Sequence, residues 1–398
     1  MIMISDPKNN KPRQAQTGAF LELAFRPFFL LASLFSILSL LLWNGFFTGD
    51  VTLHVYGGPL WWHMHEMLFG FVAAIIIGFL LTAVQTWTKI RSLNSTGLLL
   101  LVAVWMIARG LFLLPNSVPH WLIALLDIAF LPLATAALAY PIIKARLWRN
   151  LIFIPILLLM SIANISMHSK VVTPLEPFID NSSTLMVLLV TLVMSIMGGR
   201  VFPMFTANGT QTARVEPIAY LEKVVIGSTL LALISSLPFI KLPSTLSAAI
   251  FFIASAAHAV RVFRWKIWVT IKTPLVWSLH ISYWCIALGL FIYGLSEVST
   301  MVNHSQAIHT LTVGAMATMI LSMISRVSLG HTGRKIEVGR IMTFGLIAII
   351  LCFVIRVFLG YFLSDYRYVI SIAVGFWVIG YGCFVTLYFP ILSKPRQA

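Results

Sequence analysis

The chain has 398 residues, 59% of them hydrophobic and 10% charged, with a mean hydropathy of +0.95, a balance outside the range of soluble or disordered chains that reads as a polytopic membrane protein. Its 27 Lys and Arg against 12 Asp and Glu leave a formal charge of +15, which in a soluble protein would raise nucleic-acid binding. The three cysteines, Cys285, Cys352 and Cys383, sit in apolar runs without a Cys-x-x-Cys pair, which argues against Cys-ligated clusters, a disulfide framework and covalently attached c-type haem.

Residues 1–24 are polar and carry neither the short apolar core nor the small-residue cleavage site of a signal peptide, so they are expected to form a cytoplasmic tail. Apolar runs long enough to span a bilayer then follow at 27–47, 64–87, 96–114, 120–143, 151–167, 184–205, 220–240, 244–263, 275–296, 309–329, 341–363 and 368–392. They predict an all-α, polytopic membrane helix bundle of about twelve spans over 27–392, a single transmembrane domain within 1–398. The runs are continuous and rich in Leu, Ile and Phe, unlike the short alternating strands of a barrel. With the N-terminus in the cytoplasm, 22 of the 27 basic residues fall on that side, Lys170, Lys241 and Arg367 fall opposite, and Arg109 and Arg356 lie within spans. The charge then reports orientation, with both termini inside, and no nucleic-acid surface is needed to explain it. Residues 168–183, with Pro174, Glu176, Pro177 and Asp180, read as an ordered extracytoplasmic loop. Two halves of six spans meeting near 208–216 show no convincing repeat, so a duplicated transporter lacks its best support.

Ionisable groups inside spans are costly and are the first candidates for function. The second span opens Trp61-Trp62-His63-Met64-His65-Glu66 after the break Gly57-Gly58-Pro59. In a helix, His63 and His65 point about 200° apart, and His63 shares a face with Glu66, Met67 and Gly70. Glu66 then orients a ligand or carries a proton; the competing reading is a wetted helix start in an aromatic belt. Arg109 and Asp127 can pair across adjacent helices, and Arg200 follows a glycine pair, Gly198-Gly199, that permits close helix approach. His258 and His280 each lie about 9 Å from the inner end of neighbouring antiparallel spans. Matching depths suggest a bis-histidine haem or a shared metal, with Ala254 and Ser255 leaving room for a flat ring and Arg261 and Arg264 forking toward propionates. An inter-helix hydrogen bond, or two unrelated histidines, explains them equally simply. His309 opens the tenth span, where Met316, Met319 and Met323 are either a thioether stripe for cuprous copper or ordinary packing. His331 is placed in an inner loop, and His54, His120, His168 and His304 receive no role.

Taken together, Phe25-Arg26-Pro27-Phe28-Phe29, Trp62-His63-Met64-His65-Glu66-Met67-Leu68-Phe69-Gly70-Phe71, Gly78-Phe79-Leu80-Leu81-Thr82-Ala83-Val84, Met197-Gly198-Gly199-Arg200-Val201-Phe202-Pro203, His309-Thr310-Leu311-Thr312-Val313-Gly314-Ala315-Met316 and Ser325-Arg326-Val327-Ser328-Leu329-Gly330-His331-Thr332-Gly333-Arg334 closely resemble the NnrS family. The chain departs from the family pattern at Gln85-Thr86-Trp87-Thr88-Lys89, where Pro-Asn-Trp-Thr-Gly is expected; this concerns an inner turn and not the metal sites. The resemblance implies a multi-pass protein of the bacterial cytoplasmic membrane that contains b-type haem and copper and belongs to the nitric oxide response. It implies metal ligation by His63, His65, His258, His280, His309 and His331, without saying which hold iron and which copper. Cofactor contacts then fall to Arg200, Arg261 and Arg264, and proton transfer to Glu66. The expected activity is binding of nitric oxide drawn from the lipid bilayer and its redox detoxification, as a nitric oxide reductase-like oxidoreductase with an external electron donor. A sensor or scavenger without turnover is one alternative. A transporter of a metal or metal–nitrosyl species is the other.

Overall fold

The structure, a computed structural model, describes residues 18–173 and 181–397. The tail up to residue 17 and the 174–180 part of the expected loop lie outside the described residues. Each apolar run becomes a helix, because only a helix satisfies its own backbone polar groups in hydrocarbon without a partner strand. In chain order these are α1 (Phe25–Thr48), α2 (Pro59–Thr88), α3 (Ser95–Phe112), α4 (His120–Lys144), α5 (Phe153–Val172), α6 (Ser182–Thr210), α7 (Ala219–Ser235), α8 (Ser244–Arg264), α9 (Pro274–Val298), α10 (His304–His331), α11 (Arg340–Phe358) and α12 (Tyr366–Ser393). Eleven are long and apolar enough to cross a membrane, and the twelfth, α7, has 17 residues. Among the described residues there is no strand.

Two helices start earlier than hydropathy alone predicts, and in both the reason is local chemistry. Gly57 and Gly58 take positive φ of 73° and 82°, after which Pro59 supplies the fixed φ suited to the first helical position. The chain break therefore precedes the His63–His65 stretch, which is helical. Before α10, Asn303 accepts a hydrogen bond from the Gln306 amide, and the Gln306 side chain accepts one from the Asn303 amide. This reciprocal cap starts the helix at His304 and leaves His309 inside it. At its far end α10 continues to His331, which thus closes a helix instead of lying in a loop.

Both helices contain a π-helical stretch, Glu66–Val72 in α2 and Thr310–Ala317 in α10, each beginning directly after a histidine, His65 and His309. Such segments are rare and concentrate at functional sites.

The chain packs as two compact units. The first holds α1 to α5 with Ile324–Ile336 and the stretch from Phe384 onward; the second holds Thr184–Met323 and Glu337–Cys383. Within the first, Arg26 is 1% exposed, and its Nη1 donates to the carbonyls of Leu392 at 3.0 Å and Lys394 at 2.6 Å. It thereby satisfies carbonyls that the end of α12 leaves without an intrahelical donor. Replacing it exposes no new surface but leaves those oxygens unmet. Arg26→Ala is therefore expected to lower stability by about 2 kcal/mol, measured as a reduced midpoint in thermal unfolding of the full chain in detergent.

Candidate functional site

The first unit encloses a cluster of polar side chains drawn from four helices. His65 and Glu66, both fully buried, come from α2, Arg109 from α3, Asp127 from α4, and Asn164 and His168 from α5. Asn164 and His168 are four residues apart, so one face of α5 presents both. His65 is clamped by rings, stacking on Trp61 at 4.6 Å and Phe69 at 5.1 Å between centroids. Trp61 is held in turn by its Nε1 donating to the Met167 carbonyl at 3.1 Å.

Asp127 is the hub. Its Oδ2 accepts from Asn164 Nδ2 at 2.8 Å and His168 Nε2 at 3.0 Å, and lies 3.1 Å from His65 Nε2. Its Oδ1 accepts from Arg109 Nη2. On the other side of His65, Nδ1 meets Glu66 Oε1 at 2.9 Å. Glu66 Oε2 is 2.9 Å from Arg109 Nε, an ion pair without the alignment of a hydrogen bond. The far nitrogen of His168, Nδ1, lies 3.0 Å from the Tyr56 hydroxyl. Burial raises Tyr56 above its usual pKa and keeps it a neutral donor. Tyr56 therefore donates to Nδ1, which leaves His168 Nε2–H for Asp127.

Two properties follow from these partners. One ligand atom each from His65, Asp127 and His168 fall within 4.8 Å of one another, the spacing of a metal site. Behind the two imidazoles stand Glu66 and Tyr56, in the supporting position where metal-ligating histidines commonly carry a carboxylate or another hydrogen-bond partner. The charges also fail to cancel: two carboxylates face one guanidinium, so the cluster calls for one further positive charge, supplied by a proton on His65 or by a metal ion. Both nitrogens of His65 face oxygen acceptors, Glu66 on one side and Asn164 Oδ1 and Asp127 on the other, which accommodates either.

The second unit has its own buried network. His258 is fully buried, with Nε2 2.9 Å from Thr229 Oγ1 and Nδ1 3.0 Å from the Tyr283 hydroxyl. Thr229 spends its proton on the Val225 carbonyl at 2.7 Å, and Tyr283 accepts from Arg261 Nη1 at 2.7 Å. The chain of donors therefore runs Arg261, Tyr283, His258, Thr229, Val225. Arg261 also donates to Glu222 through Nε at 3.0 Å and through Nη2, and to the Ser195 carbonyl at 2.9 Å. Gly198 and Gly199 make room for this network. A Cβ on Gly199 would strike the Arg261 guanidinium and come within 2.9 Å of Glu222, and one on Gly198 would meet Tyr283 at 2.8 Å. Ser255 donates to the Ala287 carbonyl at 2.7 Å, so that small residue serves the packing of α8 on α9.

The expected site residues are thus distributed unevenly. His65 and Glu66 come together with Arg109 and Asp127, the pair anticipated across neighbouring helices. His63 instead stacks on Trp43 at 4.3 Å. His258 has both ring nitrogens engaged, whereas His280, also fully buried, has Nε2 2.8 Å from Thr206 Oγ1 and, among the described residues, no hydrogen-bond partner at Nδ1. Arg264 donates to the Glu216 carbonyl at 3.1 Å, and Arg200 is half-buried in α6. His309 places Nδ1 2.7 Å from the Ser305 carbonyl and Nε2 3.0 Å from Arg356 Nη2. The His331 ring lies 5.5 Å from that of Phe25. Sequence reasoning missed His168 and Asn164; the signal available was their four-residue spacing in an otherwise apolar span.

A family model described as NnrS protein matches residues 19–396. No curated protein matches the chain.

Arg109 is the only arginine or lysine that touches both carboxylates of the cluster among the described contacts. Arg109→Met is expected to cost about 3–5 kcal/mol by stranding them, and Arg109→Lys to recover only part of this because a lysine lacks the planar fork. Denaturant unfolding of the two variants in the same detergent checks the order.

Proposed function

The chain belongs to the NnrS family, which suggests a membrane protein of the nitric oxide response, and on that premise we propose that it binds nitric oxide at a metal ion held by His65, Asp127 and His168 and removes it by redox chemistry. The observation that carries this reading is the convergence of two imidazoles and a carboxylate in a buried, doubly supported cluster. Two imidazoles and one carboxylate form a donor set suited to ferrous iron with open positions, and to cupric copper, more than to cuprous copper, which favours sulfur. When bound, such an ion supplies the site where nitric oxide attaches and the electron that changes its oxidation level, drawn from an external one-electron donor. The protein's own groups supply the rest. Glu66 fixes the His65 ring through Nδ1, Tyr56 fixes His168, and Arg109 holds both carboxylates in place. Glu66 is also the group placed to take up or release a proton beside His65. The surrounding rings of Trp61, Phe69 and Phe112 exclude water, and an apolar gas needs no aqueous route to reach them. Residence in the bacterial cytoplasmic membrane with both termini inside belongs to the same proposal, supported by the distribution of basic residues.

A haem in the second unit is favoured by one observation, the buried Nδ1 of His280, which has no hydrogen-bond partner among the described residues. His258 would have to release Thr229 or Tyr283 to hold a haem iron, so the arrangement fits ligation by His280 better than by the pair. His280→Ala is expected to abolish any Soret absorbance of the purified protein. If His280→Ala leaves that band intact, the haem assignment fails.

Metal analysis of purified protein is the direct test. His65→Ala, Asp127→Ala and His168→Ala are each expected to lose the ion, while Glu66→Gln and Tyr56→Phe retain it with affinity reduced about 10–100-fold. Nitric oxide should alter the spectrum of the metal-loaded wild type and be consumed when a reductant is present. Unchanged metal content in all three alanine variants sinks the proposal. So does a loaded protein that is spectroscopically blind to nitric oxide.

The same geometry sets a pH dependence. A metal ion displaces the second proton that the charge balance puts on His65, so binding releases that proton and affinity must rise with pH, while the neutral His168 only moves its ring proton from Nε2 to Nδ1, where Tyr56 turns to accept it. Titrating the apo protein with ferrous iron in anaerobic buffers of increasing pH should show tighter binding at each step; an affinity independent of pH would place the ion elsewhere.

A further inference from the structure

Arg356 sits on α11, two residues before its end at Phe358. A guanidinium at this depth is costly unless a counter-charge accompanies it. Three buried arginines comply: Arg109 has Glu66 and Asp127, Arg261 has Glu222, and Arg26 has Glu22 at 3.6 Å together with its carbonyls. Arg356 does not. Its Nη1 donates to the Tyr366 hydroxyl and its Nη2 to His309 Nε2, both neutral acceptors, and the guanidinium lies 5.4 Å from the Tyr366 ring centroid. The nearest carboxylate in sequence, Asp365, is taken by Arg367, which reaches it with Nε at 3.1 Å and Nη2 at 2.7 Å. Among the described residues no carboxylate pairs with Arg356.

The neutral contacts have a purpose of their own. His309 turns Nδ1 to the Ser305 carbonyl and so presents the Nε2 lone pair to Arg356, while Tyr366 offers its oxygen from the first turn of α12. Between them they orient the guanidinium and leave its positive charge uncancelled. The adjoining segment is apolar and open: Phe362 is 82% exposed, Met301 77% and Tyr361 56%. Tyr361 donates to the Met301 carbonyl at 3.1 Å, and Gln306 bonds the Val357 carbonyl at 3.1 Å, which fixes this end of α10 and α11. Exposed aromatic rings at the end of a span, beside a cation, are the features of a membrane–water boundary.

We propose that the missing counter-ion of Arg356 is the phosphate of an anionic membrane phospholipid, bound by the guanidinium that His309 and Tyr366 orient, with Phe362, Tyr361 and Met301 lying in the headgroup region. An arginine fork matches two phosphate oxygens at once. The open, apolar surround suits a lipid, whose acyl chains stay in the bilayer, better than a soluble oxyanion.

Native mass spectrometry of the full chain in detergent, titrated with phosphatidylglycerol or phosphatidylcholine, tests this. Wild type should bind phosphatidylglycerol preferentially, and Arg356→Gln should weaken that binding about fivefold while leaving phosphatidylcholine binding unchanged. Arg356→Lys should fall between, since it keeps charge and loses the fork. Equal phosphatidylglycerol binding by wild type and Arg356→Gln overturns the proposal. Saturable binding of inorganic phosphate to delipidated wild type, lost in Arg356→Gln, also overturns it in favour of a soluble anion. If Arg356→Gln does not accumulate, the wild type decides alone: failure to discriminate the two lipids refutes the site. The metal content of the first unit is not expected to change in any of these variants.

Discussion

Charge cannot remain unpaired in a hydrocarbon-facing helix bundle, and this one constraint organises the polar interior of the protein. In water, the two carboxylates and the guanidinium of Glu66, Asp127 and Arg109 would interact weakly; inside low-dielectric surroundings they are strongly coupled. Removing any one leaves the others uncompensated. The cluster therefore behaves as a unit whose geometry is over-determined, since Arg109 grips both acids, Asn164 ties Asp127 to His65, and Tyr56 ties His168 from the other side. On the proposed function, the residual negative charge and the ring nitrogens are what a small, imidazole-binding cation would use.

The second unit meets the same constraint differently. Arg261 and Glu222 cancel, and the remaining donors run in one direction through Tyr283 and His258 to a backbone carbonyl. Each step of the relay from Arg261 to the Val225 carbonyl has a donor and an acceptor, so this network is closed where the first is open. The glycine pair Gly198-Gly199 shows the cost of building it. Space that other residues would fill is kept empty for a tyrosine ring and an ion pair. The Phe25-Arg26 element has a comparable structural task, capping the end of α12. Hence several of the sequence motifs that mark this chain as a member of its family maintain the scaffold, while the Trp62-His63-Met64-His65-Glu66 motif sends His65 and Glu66 into the buried polar cluster.

Spans were legible because hydropathy alone decides them, and His65, Glu66, Arg109 and Asp127 were legible because an ionisable side chain in an apolar run is conspicuous. His168 was not. The apolar run ends at Met167, and Ser169 and Lys170 follow, so the residue looks like the edge of a loop. In the structure α5 continues to Val172, and tertiary contacts with Tyr56 and Asp127 bury His168 to 1% exposure. The four-residue spacing puts His168 on the same face as Asn164, but it does not encode that burial. Depth arguments also placed His258 and His280 together, yet depth fixes only one coordinate. The direction each ring faces depends on Thr229 and Thr206, which lie on helices that the depth comparison leaves out, and on Tyr283, which shares α9 with His280.

The π-helical stretch behind His65 carries a further implication. A π turn accommodates about one more residue than an α turn between the same two helical ends, so Glu66–Val72 holds a length of chain that a regular helix could not. Its loosened ladder lets the Gly70 carbonyl accept from Trp105 Nε1 at 2.9 Å, locking α2 to α3 beside Arg109. The histidine before it and the long apolar segment after it are consequently set in independent rotational registers. Loss of one residue after Glu66 would turn His65 away from Asp127 while His65, Glu66, Asp127 and His168 all remained present. The site is encoded by the count of residues in this segment as much as by their identity.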